Sequence, residues 1–140
     1  MAYWLVKSEP ETFSWDEQVK AGKKGTDWTG VRNHAAKLNL KKMEKGDKAF
    51  FYHSGDEKQI VGIVEIAKTA YPDPTAEKDS PWVVVDTVAV GPFSTPVTLS
   101  TMKAEKALAD MVLLKIGRLS VSPVTAAEWK HICKLGGGKG

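Results

Sequence analysis

Two adjoining stretches constrain most of what this chain can fold into: residues 48–53 (KAFFYH) and residues 60–67 (IVGIVEIA). Both are dense in aromatic or β-branched side chains, and the polar residues 54–58 between them suit a hairpin turn. Alternation along the first places Ala49, Phe51 and His53 on one face and Phe50 and Tyr52 on the other, so both faces are partly buried. Gly62, inside the second, marks a bulge or a close backbone approach in a curved sheet. Residues 3–7 form a first strand stopped at Ser8-Glu9-Pro10, residues 82–90 a third long one, and residues 112–116 the last. Before residue 82, Tyr71-Pro72-Asp73-Pro74-Thr75 and Pro81 exclude regular structure.

The helices predicted between these strands are short. Ser14 with Glu17, and Thr125 with Glu128, are capping boxes, in which each serine or threonine and its glutamate satisfy one another's exposed amides. The first starts a helix that ends near Gly22; the second starts one with Trp129, Ile132 and Cys133 on one face. Residues 33–40 and 99–109 also carry helical spacing. Such helices are too few and irregular for the crossovers of a parallel βαβ sheet. The pattern therefore predicts an α+β fold, a small, highly curved, mixed β-barrel flanked by short helices. A chain of 140 residues suits one domain with one core, placed at residues 1–135, with 136–140 a flexible Gly-rich tail.

Charge and cysteine content narrow the functional classes. A net charge of +3 and a pI near 8.9 permit phosphate contacts without the density of a protein that coats nucleic acid. Of the 20 basic residues, all but Arg32 and Arg118 are lysines. These two stand out, because arginine's planar fork is the better tool for fixed recognition. Cys133 is the single cysteine, which excludes an internal disulfide and points to a reducing compartment. With no leader-like start and no apolar run of membrane-spanning length, a cytoplasmic protein with no membrane contact is expected.

The glycine patterns that cradle phosphates, bind dinucleotides or form a nucleophile elbow are absent. His34, His53 and His131 show no metal-ligand spacing, so neither cofactor nor metal is expected. Catalysis would require Ser8 or Ser54 to meet a histidine and an acid through the fold. What remains is a set of polar or aromatic residues at strand ends and in loops, where rigid scaffolds hold binding groups. They are Ser8, Glu9, Trp28, Arg32, Asn33, His53, Ser54, Arg118 and Ser120. Several have a purely structural reading, since Ser8 and Glu9 can cap a turn, Asn33 can cap a helix, and His53 can serve the scaffold. Trp28 differs, because Asp27, Thr29 and Gly30 around it offer no periodic apolar neighbours that would bury it. A base stacked on such a ring gains about 1–3 kcal/mol. Trp4, Trp15, Trp82 and Trp129 read as core.

Six phrases carry a resemblance: residues 3–10 (YWLVKSEP), 28–33 (WTGVRN), 50–54 (FFYHS), 60–63 (IVGI), 70–75 (AYPDPT) and 118–124 (RLSVSPV). In order, and from Tyr3 to about Leu135, the chain resembles the EVE domain family. That resemblance implies a PUA-like fold, related to the YTH domains that read methylated adenine in RNA. It also implies a non-catalytic module that binds DNA or RNA and accommodates a modified base, cytosine derivatives in DNA especially. Carried onto this chain, it makes Trp28 a pocket wall and Ser8 and Asn33 contacts to the base edge. His53, Ser54 and Ser120 complete the lining, and Arg32, Arg118 and Lys7 contact phosphate or organise loops. Thr29 departs from the acidic or other polar residue common at its position. Two other classes compete: an enzyme acting on nucleic acid or a nucleotide, and a peptide-binding interaction domain.

Overall fold

The structure is a computed structural model and describes residues 1–138. Six strands form one sheet: β1 (Tyr3–Ser8), β2 (Thr26–Asp27), β3 (Lys48–His53), β4 (Gln59–Pro72), β5 (Val83–Thr98) and β6 (Val121–Val124), in the order β2-β5-β4-β3-β1-β6. The hairpin read from the sequence is the antiparallel pair β3–β4. β1 lies parallel to β3, in register from Tyr3 opposite Lys48 to Ser8 opposite His53, so the two strands end together. Repeated register shifts between β4 and β5 bend these long strands, as extra residues on one side of a ladder do. The sheet curls but stays open, because among the described residues no ladder joins β2 to β6. The expected α+β fold, a curved mixed sheet flanked by short helices, stands, and its curl is open.

Both faces of the curl are covered, which the two-faced alternation of β3 requires. Ala49 and Phe51 pack with Trp4, Val6, Trp15, Trp28 and Val64, whereas Phe50 and Tyr52 pack with Leu5, Ile60, Ile63, Trp129 and Ile132. The single core expected from chain length is thus two apolar layers, one on each face. Gly62 makes the close approach its place suggested: an added Cβ would lie 2.6 Å from Cη2 of Trp15.

Among the described residues five α-helices surround the sheet: α1 (Trp15–Lys20), α2 (His34–Lys42), α3 (Leu99–Ala104), α4 (Val112–Lys115) and α5 (Ala126–Gly136). Both capping boxes form, Ser14 with Glu17 and Thr125 with Glu128. The strand expected at 112–116 is instead α4, which buries Leu113. A short apolar run does not tell strand from helix by periodicity alone, and the place beside β1 is taken by β6. Pro123 conceals β6 in the sequence, yet an edge strand tolerates proline because its outer amide has no partner to lose. The strand expected at 82–90 continues through Gly91 and Pro92 to Thr98.

The expected Gly-rich tail begins inside α5. Gly136 is its last residue and is buried, and Gly137, at φ +69°, provides the left-handed cap. A side chain at Gly136 would run into Phe93. The rest of that tail, residues 139–140, lies outside the described residues.

Candidate functional site

Where β1 and β3 end, Ser54 N donates to Ser8 O at 2.9 Å and holds the two strand ends together. Beside this junction opens a cleft of about 390 Å³, bounded by Lys7 and Ser8, by the turn of Thr12 and Phe13, and by the loop Asp27 to Gly30. The turn is local chemistry. The amides of Thr12 and Phe13 both donate to Glu9 O at 2.9 Å, and Ser8 Oγ donates to Phe13 O at 2.6 Å. Ser8 therefore spends its proton on the turn and faces the cleft as an acceptor.

The opposite wall is tied down from a distance. Trp28 N donates to Val85 O at 2.8 Å, and Gly30, at φ +81°, donates its amide to Asp73 Oδ2 at 3.3 Å. Asp73 also accepts from Arg32 Nη1 at 2.9 Å, Thr75 N at 2.7 Å and Thr75 Oγ1 at 2.6 Å, and its side chain is fully buried. Burial alone would raise its pKa, yet the bonds from Thr75, Arg32 and Gly30 outweigh it and hold the carboxyl at about 2. The phrase YPDPT at 71–75 is thus the anchor of the cleft loop.

Trp28 lines the cleft but is only 6% exposed. It meets Phe51 edge-on at 5.3 Å and Phe13 at 6.1 Å between ring centroids. The reading that nothing would bury it is corrected here, because its apolar neighbours arrive from β3 and from the turn, far away in sequence. Phe13, half-buried, supplies a second aromatic surface. Asp27, adjoining Trp28 and not among the residues expected from the sequence, also borders the cleft. Among the described residues its carboxylate makes no hydrogen bond, and Asp27 borders both this cleft and a hollow shared with Tyr71 and Asp86, where its charge helps raise the Tyr71 pKa.

The remaining candidates lie elsewhere. Asn33 Oδ1 accepts from Ala36 N at 3.0 Å and caps α2, outside the cleft lining. His53 is 8% exposed and has both ring nitrogens engaged. Nε2 accepts from Trp15 N at 3.0 Å, which leaves the proton on Nδ1 for Glu57 Oε1 at 2.9 Å. Ser54 lies outside the cleft lining and borders an acidic groove with Glu9, Glu11, Asp56 and Glu57, of which Glu9 also lines the cleft. Ser120 contributes its carbonyl to Lys7 N at 2.9 Å and is absent from the cleft lining. Arg32 organises the loop through Asp73 and lies 5.8 Å from the Trp82 ring. Arg118 is exposed, and among the described residues no hydrogen bond or ion pair engages it. Lys7, by contrast, lines the cleft, and its Nζ donates to Gly117 O at 2.7 Å.

Neither Ser8 nor Ser54 hydrogen-bonds a histidine among the described residues. No group of three or more His, Cys, Asp or Glu side chains there could hold a metal ion. No helix among them is long and apolar enough to cross a membrane.

A curled α+β sheet with an aromatic and polar cleft at the shared end of two parallel strands is the build of a small ligand-holding module. The EVE domain model matches residues 2–135, and the chain belongs to the EVE domain family. Thymocyte nuclear protein 1 of Homo sapiens is 35% identical over 165 residues, covering 96% of this chain and 73% of that protein. An NMR structure from Rhodopseudomonas palustris is 59% identical with a TM-score of 0.92, covering 98% of this chain and 94% of that one. The crystal structure of human THYN1 protein in complex with 5-methylcytosine containing DNA is 32% identical with a TM-score of 0.91, covering all of both chains.

Proposed function

We propose that this chain is a non-catalytic reader of DNA that takes one modified cytosine into the cleft bounded by Ser8, Phe13 and Asp27 to Gly30. The observation that carries the reading is the pairing of aromatic surface with an unengaged acceptor in a cleft of about 390 Å³, within the usual size range of small-ligand sites. Phe13 and the edge of Trp28 offer stacking surface. Asp27 accepts a hydrogen bond from the exocyclic amine of cytosine, the contact by which acidic side chains distinguish this base. The human relative crystallised with 5-methylcytosine containing DNA supports both the polymer and the base.

To enter, the base leaves its stack at a cost of a few kcal/mol, least where pairing is weak. A methyl group filling apolar space adds about 1–3 kcal/mol of selectivity. The non-catalytic reading rests on Ser8 and His53, whose polar atoms serve the scaffold. The relatives' names place them in the nucleus, which favours a role where DNA is found over the cytoplasmic one expected above.

The test is a titration of oligonucleotides carrying cytosine or 5-methylcytosine, followed by tryptophan fluorescence, with Asp27→Ala, which removes the acceptor, as control. Tighter binding of the methylated strand, and about tenfold weaker binding by the variant, are expected from a lost bond to a charged group. Equal affinity for both strands, or an unaffected variant, defeats the reading.

A further inference from the structure

Lys7 lines a second cleft as well, of about 200 Å³, closed by Tyr52, Ser54, Lys58, Leu113 and Gly117. We propose that this second cleft holds the backbone phosphate next to the bound base, between the ammonium groups of Lys7 and Lys58, so that the strand leaves the base cleft across this side. The inference rests on the base-reading function proposed above.

Four observations support it. Lys7 is half-buried, and its ammonium is fixed by the bond to Gly117 O at 2.7 Å and by the Tyr52 ring at 5.7 Å. One of its three donors is used, and among the described residues no carboxylate lies within 4.0 Å of it. Burial lowers its pKa, a disfavour to the charged form that an arriving phosphate relieves. Lys58 is likewise without an ion pair there, although Glu57 precedes it in sequence.

Lys58 also adopts φ +47°, a left-handed conformation that glycine or asparagine takes with less strain. Leu99 N holds that backbone by donating to Lys58 O at 2.8 Å, while among the described residues the ammonium has no hydrogen bond or ion pair, and strain kept at such a position is a mark of function. Adjoining this cleft across Ser54 and Gly55, the neighbouring groove is lined by Glu9, Glu11, Asp56 and Glu57. A phosphodiester is repelled there, which leaves the Lys7–Lys58 side as its exit.

The experiment compares two probes on the full chain: the nucleoside 5-methyl-2′-deoxycytidine, and a single-stranded DNA oligonucleotide with one 5-methylcytosine, each at rising salt. The variants are Lys58→Gly, which removes the ammonium while relaxing the positive φ, and Lys58→Glu. The nucleoside is expected to bind both variants as it binds the unaltered chain. The oligonucleotide is expected to bind Lys58→Gly several-fold more weakly at low salt, with the slope of log affinity against log salt reduced by about 0.7–1, and Lys58→Glu more weakly still. An unchanged slope and affinity for the oligonucleotide, or an equal loss for the nucleoside, overturns the phosphate site while leaving base reading intact. An unaltered chain that binds neither probe brings down the base-reading function, and this site with it.

Discussion

Asp73→Asn is the substitution whose effect the structure specifies most closely. The carboxylate takes four hydrogen bonds, from Gly30 N, Arg32 Nη1, Thr75 N and Thr75 Oγ1. Asparagine keeps the shape but turns an amide donor toward donors. The wild-type carboxyl is held at about 2 against an ordinary 3.8, and at about 1.4 kcal/mol per pH unit that difference is worth about 2.5 kcal/mol. Water reaches Arg32, whose side chain is 40% exposed, and screening trims the figure to about 2 kcal/mol. Because the folded-state value is the lower one, this stability is complete above pH 3.8 and is lost as pH falls through 3.8 toward 2. At pH 3 about half is gone. Urea unfolding followed by tryptophan fluorescence should therefore show the variant about 2 kcal/mol less stable at pH 7 and only about 1 kcal/mol less stable at pH 3. A gap of equal size at both pH values, or none at pH 7, refutes the assignment of Asp73 as the charged anchor of the cleft loop.

Trp28→Ala should cost about 3–5 kcal/mol in unfolding experiments, because the ring is core as well as cleft. Trp28→Phe should recover much of that, and is the variant in which to read binding. Gly62→Ala forces a methyl against Trp15 and should destabilise by about 1–3 kcal/mol in the same assay; a neutral effect would mean that the two residues pack less tightly. Tyr71, whose hydroxyl donates to Asp86 Oδ1 at 2.5 Å, is pushed up to about 12, mainly by that bond. Its phenolate absorbance should appear about two pH units later than an ordinary tyrosine's, and Asp86→Asn should bring it back toward 10.

What the sequence made legible was mostly local. The two capping boxes depend on residues three apart, and both form. The alternation of β3 announced burial on both faces, and Phe51 and Phe50 do belong to opposite layers. Tertiary pairing decided the rest. Residues 112–116 read as strand until β6 is seen beside β1, and Gly136 reads as tail until Phe93 is seen against it. The cleft shows the same division. Lys7, Ser8 and Trp28 come together there, whereas Asn33, His53 and Ser120 lie in motif phrases but serve a helix cap, the start of α1 and a backbone pairing. Asp27 and Phe13 line the cleft without a sequence signal of their own, because a single acidic or aromatic residue carries no pattern. Asp27's adjacency to Trp28 was the available signal.

The most direct test is to map backbone amide shifts on the isotopically labelled chain as an oligonucleotide with one 5-methylcytosine is added. The account predicts that the largest changes cluster at Ser8, Phe13 and Asp27 to Gly30, and that a matched oligonucleotide with plain cytosine moves the same amides less. Largest changes in the acidic groove of Glu9, Glu11, Asp56 and Glu57, or in the apolar hollow between Val19 and Val90, would contradict it.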